Sequence, residues 1–168
     1  MNPLVLYHAD CTDGFGAAYA AWTVLGDDAE YVPVKYGDID THLEYTGRDL
    51  YILDFSFPRE VMNHMFANAA RVVWLDHHKT AFEMWAPNII LTPTTLYAMN
   101  VGDSYICLDN GRSGALIAWE YFHPEEDAPD FIMMIDDRDR WQFKIEGSKE
   151  FHAGLSATKP WSFDQWQY

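Results

Sequence analysis

Cysteine is scarce in this chain of 168 residues: Cys11 and Cys107 are the only two, too few for a disulfide framework. Basic residues are scarce as well, 11 Lys and Arg against 26 Asp and Glu, which leaves a net charge of −15. A duplex-binding surface gains affinity by replacing counterions with a basic face, so this balance argues against a long nucleic-acid duplex as partner. Any nucleic acid handled here should be short, or held locally, or held through metal. No stretch approaches ~18 uninterrupted apolar residues, so no spanning helix and no membrane partner are expected. The opening MNPLVLYHAD lacks the basic region and cleavage site of a secretory signal. Repeats, low-complexity tracts and linkers are missing too. A soluble cytoplasmic protein of one domain, residues 1–168, is the expectation.

What the chain does have is apolar and aromatic content, 49% and 16%, enough for a compact core. The apolar run 4–8 meets a turn and then a helical repeat over 14–25, in which Phe15, Ala18, Trp22 and Leu25 share one face. A proline marks the strand at 30–34 as one near a sheet edge. A weak segment spans 37–47. Strong strands follow at 49–55 and 71–76, separated by a helix over 58–69 with Pro58 at its start. Later come a loop or excursion over 92–104, a strand at 105–109, a helix over 112–122 with Ser113 near its cap, and an apolar helix over 129–141. The aromatic tail to Tyr168 reads as packed. Strands alternating with helices predict an α/β fold, a central and mostly parallel sheet with helices on both faces.

In such sheets ligands bind beyond the carboxyl ends of the strands. All three strong strands end in chemistry: the first at His8, Asp10 and Asp13, the second at Asp54, the third at Asp76, His77 and His78. Carboxylates seldom follow doubly buried apolar runs without a partner. Imidazole and carboxylate together suit Mn, Fe, Zn or Mg, whereas a structural zinc would want cysteine. So much negative charge is excessive for one divalent ion and fits two, about 3.5–4 Å apart, in a phosphoryl-transfer centre.

The segments HADCTDG (8–14), DFS (54–56), DHH (76–78) and an aspartate in DDRDRW (136–141) occur in an order that resembles the DHH phosphoesterases. The resemblance spans about residues 4–145 and is nearest the branch that degrades very short oligonucleotides or cyclic nucleotides. It implies a metal-dependent phosphodiesterase acting on short oligonucleotides or cyclic (di)nucleotides by two-metal activated water, with manganese favoured and Mg or Co as substitutes. Carried over residue by residue, His8 and a first-motif aspartate would hold one ion, and Asp13, His77 and Asp137 the other. Asp54 would bridge them, His78 would face substrate, and Asp76 would fix the histidine geometry. Asp137 is favoured over Asp136 and Asp139 by register alone.

Two departures from the family pattern stand out. Its first motif commonly reads Asp-x-Asp, and counting back from Asp13 reaches Cys11; a hard metal prefers oxygen, which favours Asp10 one residue earlier. The substrate-binding domain that usually follows is not expected within 168 residues, so grip on substrate falls to this domain, the excursion near 92–110, or a second subunit in a homo-oligomer. Lys79, Arg112 and Arg138 are the cations expected to meet substrate phosphate. Rival readings are a phosphatase or pyrophosphatase acting on small phosphate compounds, and a non-catalytic protein that sequesters a nucleotide.

Overall fold

A computed structural model describes residues 1–37 and 43–167; the central part of the weak segment, with His42, and the terminal Tyr168 lie outside the described residues. The chain forms one six-stranded sheet: β1 (Leu4–His8), β2 (Glu30–Val34), β3 (Asp49–Leu53), β4 (Arg71–Asp76), β5 (Leu96–Val101) and β6 (Ser104–Asp109). Their order is β2-β1-β3-β4-β6-β5, with every neighbouring pair parallel except β5–β6. The fold is α/β. Pro33 indeed lies on an edge strand, where its missing N–H costs the ladder nothing. The excursion expected over 92–104 instead contains β5, the antiparallel edge, which pairs with β6 from Leu96↔Asp109 to Val101↔Ser104.

Side-chain alternation along the parallel strands divides the core in two. Val5, Tyr51, Leu53, Val73, Leu75 and Cys107 face one layer, built on α1 (Thr12–Leu25), α4 (Gly114–Phe122) and α5 (Asp130–Asp139). Leu4, Leu6, Ile52, Trp74, Ile106 and Leu108 face the other, with α2 (Arg59–Asn68) and α3 (Lys79–Trp85). Doubly buried strands of this kind are why the central runs read as continuously apolar rather than alternating. Trp74 is fully buried, and its indole N–H donates to the Phe55 carbonyl at 3.0 Å, so the ring is packed without an orphan donor.

Local chemistry fixes the helices that matter for the site. The alanine-rich α1 has high intrinsic propensity and stops at Gly26, whose φ of +60° with ψ −157° is a backbone conformation open in practice to glycine alone. Ser113 caps α4 by accepting from Leu116 N. A further helix, α6 (Ser148–Ala157), packs on α5, and the tail folds back so that Trp161, Phe163 and Trp166 meet Phe15 of α1. No helix among the described residues is long and apolar enough to cross a membrane.

Candidate metal centre

The parallel strands deliver His8, Asp54 and the Asp76–His77–His78 run to one end of the sheet, as the strand order demands. Asp13 reaches the same place from the first turn of α1, and Asp139 from the last turn of α5. Two groups of ligand atoms result, each lying within 4.8 Å of one another: His8, Asp54 and His78, and Asp13, His77 and Asp139. Asp54 stands between them. Its Oδ2 is 3.4 Å from His8 Nδ1, and its Oδ1 is 3.2 Å from His77 Nε2. His77 Nε2 also lies 3.4 Å from Asp13 Oδ2 and 3.6 Å from Asp139 Oδ2.

These close approaches lack hydrogen-bond geometry where it matters most. Both Asp54 oxygens and His8 Nδ1 are buried without a hydrogen-bond partner, three of five such side-chain atoms among the described residues. A buried carboxylate left unsatisfied is costly unless something cationic completes it. Asp54 also sits at φ +54°, a left-handed conformation uncommon outside glycine and best tolerated by Asp and Asn. The donor set, imidazole and carboxylate with two groups joined through one aspartate, fits two divalent cations.

Surrounding groups hold these ligands in place. Asp13 accepts backbone hydrogen bonds from Gly114 at 2.7 Å and Ala115 at 2.8 Å, so the amino end of α4 carries its charge. Asp76 is fully buried and accepts from His77 N at 2.7 Å, His78 N at 3.1 Å, His78 Nδ1 at 2.7 Å and the Ser56 hydroxyl. Asp136 accepts from Ser113 N at 2.7 Å and from Arg140 at 3.1 Å, tying α5 to α4. Glycine is required at two close approaches: a β-carbon on Gly14 would stand 2.2 Å from the His8 carbonyl, and one on Gly114 2.5 Å from Asp54 Cβ.

The electrostatics follow from the crowding. Burial and the neighbouring Asp54 and Asp139 carboxylates push Asp13 well above the usual carboxylate range. Asp139 is raised for the same first reason, burial, although His77 opposes it. Burial would raise Asp54 too, but the adjoining His77 and His8 rings overcome it and hold that carboxyl down at about 2. Burial would lower His77, yet Asp54, Asp13 and Asp139 raise it to about 10. His78 is raised as well: burial would lower it, but the Asp76 and Asp54 carboxylates prevail, so the cluster favours positive charge at both rings.

Three expected site residues do not join the cluster, and one expected ligand is replaced. Asp137 turns away: its carboxylate accepts from Lys144 N at 2.7 Å, Ile145 N at 3.3 Å and the Ser148 hydroxyl at 2.7 Å, closing the turn before α6. Asp139, two residues on, is the aspartate of this turn that groups with Asp13 and His77. Asp10 is solvent-facing, with its carboxylate 2.6 Å from Lys35 Nζ, whose ammonium holds it below the usual range. Cys11 takes the inner place, lining a cavity of about 340 Å³ together with His8 and Asp139. Burial, then the Asp54 and Asp13 charges, push its thiol up to about 12. Arg112 is spent on Asp109 and Glu120 and lines a different cavity. Lys79 pairs with Glu83 at 3.1 Å on the exposed side of α3. Arg138 does line the cavity shared by His8 and Asp139, with its guanidinium 4.8 Å from the Trp141 ring centre.

Tyr36 is a neighbour that sequence patterning leaves unmarked. Its ring lies 5.5 Å from His8 and 6.2 Å from His78, stacked on Phe55 at 4.4 Å. It sits just past β2 with no motif around it, and only the pairing of β2 with β1 brings it to the site.

No family model matches the chain. An uncharacterized protein of Acanthamoeba polyphaga mimivirus is 30% identical over 162 residues, covering 88% of this chain. The chain spans 35% of that relative's length.

Proposed function

We propose that the protein is a two-metal phosphoesterase of the DHH type, hydrolysing phosphodiester bonds in short oligonucleotides or cyclic (di)nucleotides. The observation that carries this reading is the buried Asp54 carboxylate, unsatisfied at both oxygens and flanked by two histidine–carboxylate groups. His8 and Asp54 would hold one ion with Cys11 alongside, and Asp13, His77 and Asp139 the other. The oxygen and imidazole donors favour manganese, with Mg or Co as substitutes. Bound there, the ions would supply an acidified water and a positive field over the phosphoryl oxygens.

The chain's own residues divide the remaining work. Asp76 accepts from His78 Nδ1 and, with Asp54, raises that ring against the effect of burial; protonated, the ring would also carry a proton on Nε2 to donate to a phosphoryl or leaving oxygen. Arg138, its guanidinium steadied by Trp141 and Phe143, offers a charge to substrate phosphate in the same cavity. A net charge of −15 disfavours long polyanions, which supports short substrates held locally at the metals. We take the setting to be cytoplasmic.

The test is a panel of pApA, a cyclic dinucleotide and pyrophosphate, each with added Mn, Mg or Co. Hydrolysis of a phosphodiester that Asp54→Ala abolishes is the expected result. Preference for pyrophosphate would move the protein to the phosphatase class, and tight binding without turnover of any substrate would make it a sequestering protein.

A further inference from the structure

Beside the metal cluster lies a second and larger cavity of about 730 Å³, within the range of about 300–1,000 Å³ typical of ligand sites. The two cavities share Ala9, Asp10 and Trp161 as a common wall, so the larger one opens directly alongside His8 and Asp139. Its remaining walls come from β1, from α1, from the edge strand β2, and from the tail after α6.

The lining divides by chemistry. Tyr7, Phe15 and Trp161 contribute ring surface, and Val32 and Val34 contribute aliphatic surface. The Trp161 ring is fixed in place: its indole N–H donates to the Leu155 carbonyl at 2.6 Å, and Phe15 packs on it at 5.5 Å. At the mouth stand Lys35 and Lys159, two of the five lysines in the chain. Both are anchored on Asp10, Lys35 to its carboxylate at 2.6 Å and Lys159 to its carbonyl at 2.8 Å. Lys159 also lies 4.5 Å over the Trp161 ring. Set against the Asp10 carboxylate that lines the same mouth, the two ammonium groups leave one net positive charge beside the rings, which complements one anionic, flat ligand.

We propose that this cavity binds one nucleoside monophosphate unit, the base against the Tyr7 and Trp161 rings, with the buried Phe15 behind them, and the phosphate between Lys35 and Lys159. The inference rests on the phosphodiesterase reading for its purpose, since the unit bound here would be the substrate nucleotide next to the scissile phosphate. It adds a length rule: one nucleotide in this cavity and one at the metals makes a dinucleotide the shortest fully held substrate. Aromatic rings accept any base through their faces, so selectivity here falls on length more than on sequence. The tail thereby supplies grip to a catalytic cluster that consists of β-strand ends and helix ends alone.

The test separates the two readings by using the metal-free protein. 5′-AMP is titrated into the full chain in chelator, and the tryptophan indole N–H resonances are followed by NMR; manganese uptake is measured independently by calorimetry. The expected result is a saturable shift of the Trp161 indole signal by 5′-AMP. Lys159→Glu, at an exposed position, should weaken 5′-AMP by about tenfold or more while manganese uptake stays as in the unmodified protein. A Trp161 signal unmoved by 5′-AMP, or an affinity that Lys159→Glu leaves unchanged, overturns the proposed cavity. Binding of 5′-AMP in a protein that takes up no manganese upholds the nucleotide cavity and removes the hydrolytic reading instead.

Discussion

Gly114 leaves no room for a side chain over Asp54: a β-carbon there would lie 2.5 Å from Asp54 Cβ and 2.8 Å from Oδ1. The same residue's N–H donates to Asp13 at 2.7 Å, so one glycine adjusts an aspartate of each ligand group. Helix propensity alone would reward Gly114→Ala by up to about 1 kcal/mol. Overpacking against a buried, inflexible strand end costs about 1–3 kcal/mol and wins. Gly114→Ala is expected to lose about 1–2 kcal/mol in urea denaturation and to weaken manganese binding measured by calorimetry. Unchanged metal affinity would mean that Asp54 is not a ligand.

Metal should stabilise the fold in proportion to its occupancy. A ligand at about 100 times its dissociation constant adds about 2.7 kcal/mol, which for a chain this size raises Tm by about 5–10 °C. Manganese in excess is therefore expected to raise the calorimetric Tm by that amount, and a chelator to return it. Asp54→Ala should abolish the rise, because that carboxylate stands in contact with both ligand groups. A full manganese-dependent rise in Asp54→Ala would count against the shared aspartate.

Asp137 and Asp139 offer an opposed pair of outcomes. Asp137 accepts three hydrogen bonds from the turn that follows α5, so Asp137→Ala should cost about 2–3 kcal/mol while leaving two ions bound. Asp139→Ala should leave the stability of the metal-free protein within about 0.5 kcal/mol, or raise it, because it removes one of several crowded acids. It should also cost one of the two ions, counted by elemental analysis.

That pair also marks how far the sequence could be read. The strand ends carrying His8, Asp54 and Asp76–His78 were legible because doubly buried apolar runs stop abruptly at charged residues, and the parallel sheet then dictates that they meet. The end of α5 was not. Asp136, Asp137 and Asp139 occupy about one turn, and which of them faces His77 depends on how α5 crosses α4. The hydrogen bond from Ser113 N to Asp136 sets that crossing, and no local pattern encodes it. Asp10 and Cys11 failed for a related reason: ligand hardness favours oxygen, but the chain turns at Asp10, with φ +56°, and sends that carboxylate out to Lys35. The antiparallel β5 was hidden because its side chains are mostly exposed, so the segment LYAMNV has no buried face to impose an alternation.

His78 provides the clearest division between holding metal and handling substrate. Its Nδ1 is the nitrogen nearest Asp54, at 3.7 Å, but that atom lies 2.7 Å from Asp76 and is engaged there. A ring committed in this way is oriented by its carboxylate and, on the phosphodiesterase reading, would keep one nitrogen for substrate. His78→Ala should therefore lower kcat by about 10²–10⁴ with two ions still bound. Asp76→Asn should act through the same ring, cutting turnover about 10–100-fold as the orientation of His78 is lost. The double variant should be no slower than His78→Ala alone, since removing the ring leaves Asp76 nothing catalytic to position. Loss of an ion from His78→Ala would make His78 a ligand of the first metal, and multiplicative losses in the double variant would give Asp76 a role of its own.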